Sequence, residues 1–346
     1  MKILKTLSVG VSGRGQWPVK TCRPEIGFKL VALCDVNTNA LASACDIANL
    51  PKSACYTDYE QALDQSDVDC VILCTPTIYH IPMAKRAIER GLPVLTEKGM
   101  APNWSTANEA IAFVRQHNGI FCVSQNYRYN ALERTFHRLL TNANDPAFIG
   151  HPYLLDLSHH RVRPEPRTLN YPYASIWDMS CHHFDNLVYW LGPVSEITAH
   201  AFAAPHSQYE HPNNTSAFMR FQNGTCVNYF HGHDSARGEC RINLHGEKGA
   251  VFGCVFDQTS STGGLQSLAF TKRPTTQFGK SDPIAIPFDH HLGEVGVLQD
   301  FHAYITQNIV PGISGYHNLE VMAMCQMMVM SIQQHRTVQR TELNDT

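Results

Sequence analysis

Short apolar, β-branched runs alternate with helical patterns through the first third of the chain. The apolar runs predict five strands, and the stretches between them carry the i, i+3, i+4 spacing of amphipathic helices. The predicted strands are Leu7–Ser12, Leu30–Cys34, Cys70–Cys74, Val94–Thr96 and Phe121–Ser124, and the predicted helices are Asn39–Ala48, Ile81–Arg90 and Trp104–His117. Strands that alternate with helices build βαβ units, so this region predicts a parallel sheet covered on both faces.

After about Ser124 the pattern changes to longer helices and closely spaced strands. The predicted helices are Asn130–Leu140, Ser175–Leu191, Leu298–Gln307 and Leu319–His335, and the predicted strands include Tyr153–Ser158, Ser216–Phe221, Thr225–His231 and Arg241–His245. Strands separated by Gly and Asn in this way are typical of an antiparallel sheet. We therefore expect a doubly wound parallel-sheet domain over residues 1–124. A second domain over residues 125–346 follows, with an open, mostly antiparallel sheet covered by helices.

Length and composition agree with two folded domains and narrow the classes of partner. The 346 residues exceed what one hydrophobic core usually serves. Lys plus Arg number 27 and Asp plus Glu number 30, with no basic run, which argues against nucleic-acid binding. No apolar stretch approaches the roughly 18 residues of a membrane helix, so we expect no membrane partner and a cytoplasmic location. The 12 cysteines include no C-x-x-C pair, and we expect reduced core thiols.

A glycine-rich turn follows the first predicted strand. Gly13 permits a tight turn, Gly15 lets backbone N–H groups approach a pyrophosphate, and Pro18 stands at the third glycine position of the dinucleotide-binding fingerprint. Asp35 ends the second strand, 22 residues after Gly13, where a carboxylate binds the adenosine ribose hydroxyls. We therefore predict a dinucleotide site.

The same carboxylate bears on the choice of cofactor. Asp35 would repel a 2′-phosphate, so we expect NAD rather than NADP. Arg14 and Asn37 lie close enough in sequence to leave NADP open.

Two further places carry candidate chemistry. Lys98 directly follows a parallel strand, at the carboxyl edge of the sheet, where ligands bind in open α/β folds. Asp178, His182 and Asp185 are spaced i, i+4 and i+7 on the predicted helix Ser175–Leu191, and so share one face. A carboxylate one turn from an imidazole can orient it as a general base. From spacing alone, a polar seam that merely pairs these side chains is an equal alternative.

Taken together, the motifs resemble the glucose–fructose oxidoreductase/inositol dehydrogenase (Gfo/Idh/MocA) family over nearly the whole chain. The matching segments are Val9–Gly15, Ala32–Asp35, Thr75-Pro76 with His80, Thr96-Glu97-Lys98, Gln125–Asn130, Asp178-x-x-x-His182-x-x-Asp185 and Gly246–Ala250. The resemblance implies an N-terminal Rossmann domain and a C-terminal α/β domain whose open sheet joins subunits into a homodimer or homotetramer. It also implies NAD(P)-dependent chemistry on a small sugar or cyclitol.

The resemblance also implies roles for individual residues. It places Lys98, Asp178 and His182 in catalysis. The expected cofactor-binding set is Gly13, Arg14, Gly15, Gln16, Trp17, Asp35, Thr75, Pro76, His80, Glu97 and Lys98. Candidates for the substrate pocket are Tyr127, Arg128, His160, Arg161 and Asp185, and no metal ligand is expected. Two departures stand out: Gly99 replaces the usual proline after the lysine, and Pro18 replaces a small residue.

The expected reaction is hydride transfer between a secondary alcohol carbon and nicotinamide. His182, oriented by Asp178, takes the hydroxyl proton while Lys98 stabilises the alkoxide, or the roles of His182 and Lys98 are exchanged. One alternative on the same fold is NAD-assisted hydrolysis or elimination of a glycoside. Another is a zinc hydrolase built from paired histidines, among them His159-His160 and His231-x-His233. A non-catalytic cofactor sensor is a further alternative.

Overall fold

Two compact units make up the chain. The computed structural model describes residues 1–166, 171–257, 267–276 and 281–343. Contacts between Cα atoms group Met1–Tyr129 with Leu292–Met322 as unit 1, and Asn130–His291 with Ala323–Thr346 as unit 2. Residues 167–170, like the other gaps between these ranges, lie outside the described residues.

The first 129 residues form a Rossmann sheet, which confirms the predicted parallel architecture. The elements are β1 (Leu4–Val9), α1 (Gln16–Thr21), β2 (Phe28–Cys34), α2 (Thr38–Ala48), β3 (Cys55–Tyr56), α3 (Tyr59–Gln65), β4 (Cys70–Leu73), α4 (Thr77–Ile88), β5 (Val94–Glu97), α5 (Trp104–Gln116) and β6 (Phe121–Ser124). The strand order is β3-β2-β1-β4-β5-β6, with every neighbouring pair parallel. The order reverses between β1 and β4, the place where such sheets bind ligands.

The described residues after Tyr129 supply a nine-stranded sheet and four more α-helices. In chain order the elements are α6 (Ala131–Thr141), β7 (Pro152–Val162), α7 (Cys181–Leu191), β8 (Val194–Phe202), β9 (Asn214–Phe221), β10 (Cys226–Gly232), β11 (Asp234–Gly246), β12 (Gly249–Asp257), β13 (Ser267–Lys272), β14 (Ile284–Ala285), α8 (Gly293–Gln307), α9 (Gly315–Gln334) and β15 (Val338–Gln339). The strand order is β14-β13-β12-β11-β7-β10-β9-β8-β15. Only β7 and β10 pair in parallel, which confirms the predicted mostly antiparallel sheet.

One face of the nine-stranded sheet is buried and the other is open. Along β10, Val227, Tyr229 and His231 are buried at alternate positions, as the two-residue period of a strand requires. Helix α7 covers this face, where the ring of Phe184 lies 5.5 Å from that of Tyr229. On the open face Phe218 remains exposed.

Helix α8 belongs to unit 1, although the sequence places it in the C-terminal domain. Its apolar side chains Val297, Leu298 and Phe301 are buried in one core with residues of the Rossmann sheet. The ring of Phe301 stacks on that of Phe28 in β2 at 6.2 Å. The spacing of these apolar residues in the sequence shows that α8 has one apolar face. The spacing does not show which of the two sheets buries that face. The functional division into residues 1–124 and 125–346 stays a prediction.

The expectation of reduced cysteines is wrong at one pair. Cys45 in α2 and Cys55 at the start of β3 form a disulfide across 10 residues. The end of α2 and the short strand after it bring these side chains together, a proximity that spacing did not reveal. The other cysteines whose side chains the structure describes form no disulfide.

The longest described helix, α9, has 20 residues. In the described ranges, no helix is both long and apolar enough to cross a bilayer. The cytoplasmic location stays a prediction.

Candidate functional site

The turn after β1 leaves no room for side chains at two glycines. Gly10 has φ +77°, and a Cβ atom there would lie 2.7 Å from the carbonyl oxygen of Cys74. A Cβ atom on Gly15 would overlap the carbonyl oxygen of Gly10. Gly13 also has a positive φ, +51°, but space around it is open. The turn is therefore a cradle whose close approaches depend on Gly10 and Gly15.

This geometry corrects the alignment of the glycine fingerprint. Strand β1 ends at Val9 rather than Ser12, so Gly10 takes the first glycine position and Gly15 the third. Ser12 then stands at the middle position, and Pro18 lies inside α1. The sequence analysis missed Gly10. Gly10 can be recognised from its five-residue separation from Gly15, which matches the first and third glycines of the fingerprint. Ser12 at the middle position obscures the match.

Asp35 holds the glycine turn through its carboxylate. Its Oδ2 accepts hydrogen bonds from the backbone N–H of Val11 at 2.8 Å, the N–H of Ser12 at 3.0 Å and the Ser12 hydroxyl at 2.9 Å. Its Oδ1 accepts one, from the N–H of Asn37 at 2.8 Å. Of these four hydrogen bonds three fall on Oδ2 and one on Oδ1, so Oδ1 is the oxygen with more room for a ribose hydroxyl. Asp35 thus shapes the turn as well as facing the cavity.

A cavity of about 640 Å³ opens at this turn. Its lining includes Gly10, Ser12, Gly13, Asp35, Thr75, Pro76 and Tyr79. Four of these, Gly13, Asp35, Thr75 and Pro76, belong to the expected cofactor set. Side-chain-free backbone beside a carboxylate at the sheet's switch point fits the adenosine half of a dinucleotide.

Other members of the expected cofactor set lie inside unit 1. His80 is fully buried, with Nδ1 2.8 Å from the carbonyl oxygen of Gly99 and Nε2 2.7 Å from that of Thr75. Burial lowers the pKa of His80, although the hydrogen bonds to the two carbonyl oxygens oppose this. His80 thereby ties the start of α4 to the segment after β5. Gln16, by contrast, is exposed and accepts from the Lys20 ammonium group.

Glu97 is the centre of a small buried network. Its Oε1 accepts from Trp17 Nε1 at 2.7 Å and from Arg14 Nε at 3.2 Å. Arg14 also donates to Glu294 of α8 at 2.8 Å. Burial raises the pKa of Glu97, although Arg14 and Trp17 oppose this. Trp17 and Glu97 therefore fix α1 against β5.

Lys98 follows β5 directly, at the carboxyl edge of the parallel sheet, as the sequence predicts. Its side chain is half-buried, and its backbone N–H donates to Glu97 Oε2 at 3.1 Å. The peptide bond from Lys98 to Gly99 is cis.

In unit 2 the helix that carries the candidate catalytic residues is not a regular α-helix. Residues Ile176–Ser180 form a π-helical turn, and α7 begins only at Cys181. Asp178 lies in the π turn and His182 in α7, so the single α-helical face expected for Asp178, His182 and Asp185 is distorted. An i→i+5 turn rotates Asp178 relative to the later residues. Such turns often occur at functional sites.

Around this turn the structure brings Tyr171 to Asp178. The Tyr171 hydroxyl donates to Asp178 Oδ2 at 2.7 Å, and Asp178 is half-buried. Desolvation and the Asp178 charge raise the pKa of Tyr171. His182 and Asp185 are both buried. Tyr171 was not singled out from the sequence, because nothing in its spacing points to Asp178.

The two candidate substrate residues of β7 point away from each other. His160 and Arg161 are successive residues of β7 and lie on opposite faces of the sheet. Arg161 Nη1 lies 3.3 Å from Met179 Sδ in the π turn, whereas His160 Nδ1 lies 3.2 Å from the Ser235 hydroxyl. In unit 1, Tyr127 is half-buried and Arg128 is buried. Arg161 is the member beside the π turn.

Four histidines lie close together where α7 packs on the sheet. A cluster of histidines is one of the features that the zinc alternative requires. His159, His183, His231 and His233 are buried, with neighbouring ring centroids 4.8–5.6 Å apart. Burial is the main cause that lowers the pKa of each ring. Across the described ranges, no three His, Cys, Asp or Glu side chains are arranged to hold a metal ion.

Comparison with known proteins identifies both parts of the chain. Residues 6–125 match the family described as "Oxidoreductase family, NAD-binding Rossmann fold", and residues 174–339 match "Oxidoreductase family, C-terminal alpha/beta domain". The oxidoreductase YrbE of Bacillus subtilis is 25% identical over 72% of this chain and 73% of its own length. Inositol 2-dehydrogenase 4 of Saccharopolyspora erythraea is 29% identical over 60% of each chain.

A shorter match and a solved structure complete the comparison. A glycosyl hydrolase family 109 protein of Phocaeicola vulgatus is 32% identical over 30% of this chain and 21% of its own length. The crystal structure of an Agrobacterium radiobacter oxidoreductase, with NAD⁺, L-tartaric acid and magnesium, superposes with a TM-score of 0.82. It covers 99% of both chains at 17% identity and supports the fold. The two family matches together span most of the chain, and the protein belongs to the Gfo/Idh/MocA family of NAD-binding oxidoreductases.

Proposed function

We propose that the protein oxidises or reduces a secondary alcohol of a sugar, sugar derivative or cyclitol with NAD. The observation that carries the proposal is the glycine cradle closed by Gly10 and Gly15 and fastened by Asp35. The inositol dehydrogenase relative supports a polyhydroxylated substrate. Gly13, Asp35, Thr75 and Pro76 line the cavity in which the adenosine half would lie.

The protein's own residues would manage the proton and the charge. When bound, the nicotinamide supplies the hydride chemistry. His182 takes the hydroxyl proton during oxidation, and Asp178 orients the imidazole or the substrate hydroxyl. Lys98 stabilises the negative charge that develops on the oxygen. The Tyr171 hydroxyl donates to Asp178 Oδ2 and so helps to hold the carboxylate in place. Arg161, beside the π turn, is the substrate-pocket candidate that we retain.

The open face of the nine-stranded sheet supports assembly into a homodimer or homotetramer. Phe202, Phe218 and Phe252 are 47%, 41% and 38% exposed on this face, and Phe218 borders a groove of about 520 Å³. Apolar side chains exposed on a sheet face are typical of surfaces that contact another protein. Light scattering during size-exclusion chromatography measures the assembly.

The glycosyl hydrolase relative favours a second candidate function on the same fold. A transient oxidation that activates a neighbouring bond would cleave or eliminate a glycoside and return NAD unchanged. Net formation of NADH separates the two functions, because only the dehydrogenase accumulates it.

The test is a panel of sugars, sugar acids, cyclitols and aryl glycosides, each offered with NAD and with NADP. We expect NADH absorbance to rise with at least one free sugar or cyclitol, and NAD to be preferred because Asp35 repels a 2′-phosphate. Release of the aryl group without NADH would favour the glycosidase. No cofactor binding by either nucleotide would overturn the proposal, and preference for NADP would overturn the role of Asp35.

A further inference from the structure

A chain of buried hydrogen bonds ends at the π turn that carries Asp178. His159 Nδ1 lies 2.8 Å from His183 Nε2, and His183 Nδ1 lies 2.8 Å from the Tyr229 hydroxyl. Tyr229 donates to the Ser180 hydroxyl at 2.8 Å, and Ser180 donates to the carbonyl oxygen of Ser175 at 3.3 Å. These five residues, which we call the histidine–tyrosine chain, connect β7, β10 and α7 with both ends of the π turn.

The direction of every bond in the chain follows from its last member. A carbonyl oxygen only accepts, so Ser180 uses its single proton on Ser175 and must accept from Tyr229. Tyr229 then has no proton left, so His183 must donate through Nδ1–H. A neutral ring with Nδ1–H accepts at Nε2, and His159 must therefore donate through its own Nδ1–H. Both tautomers are thus assigned by the chain.

Burial keeps the chain in this form. His183 is 4% exposed and Tyr229 2%. Desolvation, helped by the charges of Arg161 and His233, lowers the pKa of His183 to about 3, so the ring is neutral near pH 7. Removing one member would leave buried polar groups without partners, because water has no access.

The chain does not move a proton to the substrate. A relay must receive a proton at one end and release it at the other, and the last acceptor here is a backbone carbonyl. The chain instead constrains the backbone of the π turn. Ser175 precedes the turn Ile176–Ser180, Ser180 ends it, and the hydrogen bond between them crosses it. Asp178 lies between these two serines, and His182 is two residues beyond Ser180.

We propose that His183 and Tyr229 are positioning residues that hold the π turn, and with it Asp178 and His182, in register for acid–base chemistry. This inference rests on the proposed function, because it requires Asp178 and His182 to touch the substrate. The adjacent histidines then have separate tasks: His182 carries the proton and His183 anchors the helix to the sheet. A shift of about 1 Å in a catalytic group can cost up to about 100-fold in rate, so small displacements matter.

The first test measures the chain itself and needs no substrate. Nitrogen-15 NMR of the full-length protein labelled in histidine reports which ring nitrogen carries the proton. We expect Nδ1–H for both His159 and His183. An Nε2–H tautomer at His183 would overturn the assigned direction and with it the inference.

The second test removes one hydroxyl. Tyr229→Phe should lower kcat about tenfold on the substrate found by the panel, with KM within about twofold and NAD affinity unchanged. Val227→Ala, two residues earlier on the same buried face, is the matched control for a weakened core, because it leaves the chain intact. Tyr189→Phe removes a hydroxyl from α7 outside the chain. Both controls should keep kcat within about twofold.

A rescue distinguishes positioning from bulk packing. Asn carries an amide nitrogen on Cγ, where His carries Nδ1, and can still donate to Tyr229. His183→Ala should therefore lose about tenfold in kcat, and His183→Asn should recover most of it despite its smaller volume. Equal losses in Val227→Ala and Tyr229→Phe, or no rescue by Asn, would show a structural role only. If instead His182→Ala keeps full turnover, the proposed function fails.

Discussion

The glycine turn of unit 1 and the π turn of unit 2 are held in place by different means. In unit 1, absent side chains at Gly10 and Gly15 let the backbone close on itself, and Asp35 accepts three bonds from the turn on one oxygen. In unit 2, His159 of β7 is bonded to His183 of α7, and His183 to Tyr229 of β10. The Tyr229 hydroxyl then donates to Ser180 at the end of the π turn. The shape of the glycine turn depends on close backbone contacts. The position of the π turn depends on hydrogen bonds between side chains, each of which donates one proton in a defined direction.

This difference determines what a mutation can do in each unit. A glycine cradle fails when atoms are added, whereas a hydrogen-bonded anchor fails when atoms are removed. It also separates binding from chemistry: changes at the glycine turn should affect cofactor affinity, and changes at the π turn should affect turnover. Three predictions follow this separation, ordered by the size of the expected effect.

The largest effect is expected at His182. General acid–base catalysis contributes about 10²–10⁴-fold, so His182→Ala should lower kcat by that much. NAD affinity should stay within about twofold, because the cradle lies in unit 1. Steady-state kinetics and a titration of NAD against protein fluorescence measure the two quantities.

A double substitution sharpens this result. Asp178→Asn should cost less than His182→Ala if the carboxylate only orients, and the pair together should be hardly worse than His182→Ala alone, since residues that act as a unit are non-additive. Collapse of NAD affinity with normal turnover in His182→Ala would reverse the assignment of the two units.

The sequence predicted the two arrangements unequally, for a physical reason. Alternating strands and helices, the glycines near residue 13 and Asp35 are local patterns, so the Rossmann sheet and its cofactor edge were predictable. Even there, Ser12 in place of a glycine shifted the fingerprint from Gly10 to Gly13. The role of Tyr229 depends on strand register and on a π turn, which no spacing encodes. The disulfide Cys45–Cys55 was missed because short-range proximity needs the backbone path between the two residues.

The second prediction tests the cradle with a matched pair of glycines. A Cβ atom at Gly15 overlaps the Gly10 carbonyl, so Gly15→Ala should weaken NAD binding by at least about 100-fold, since the turn must open. Gly13→Ala adds the same atom where no protein atom lies within 4 Å, and its φ of +51° costs about 1–2 kcal/mol of folding free energy. Because the turn itself need not open, NAD affinity should fall less than in Gly15→Ala. Fluorescence titration with NAD compares the two variants. Equal losses of NAD affinity in the two variants would mean that backbone strain, rather than the close contact between Gly15 and Gly10, determines whether the turn binds NAD.

The third prediction concerns acid stability, where the buried imidazoles of unit 2 should dominate. The folded pKa of His183 is about 3, against about 6.5 in an unfolded chain. Between these values the unfolded chain binds more protons, so stability rises with pH. The contribution is complete above pH 6.5 and is lost as the pH falls towards 3. At pH 5 the loss from this one ring is about 2 kcal/mol.

His183→Asn isolates that contribution, because the amide does not titrate in this range and can still donate to Tyr229. Its free energy of unfolding, from urea titrations followed by circular dichroism, should fall by about 2 kcal/mol less than that of the wild type between pH 7.5 and pH 5. His291→Asn is the control, since His291 is exposed in the loop before α8 and its replacement should leave the pH dependence unchanged. An unchanged slope in His183→Asn would mean that the ring is charged when folded. A charged ring donates from both nitrogens, so the bond between His159 and His183 would then run opposite to the assigned direction. The contrast between a steric cradle and a proton-ordered anchor would fail at that bond.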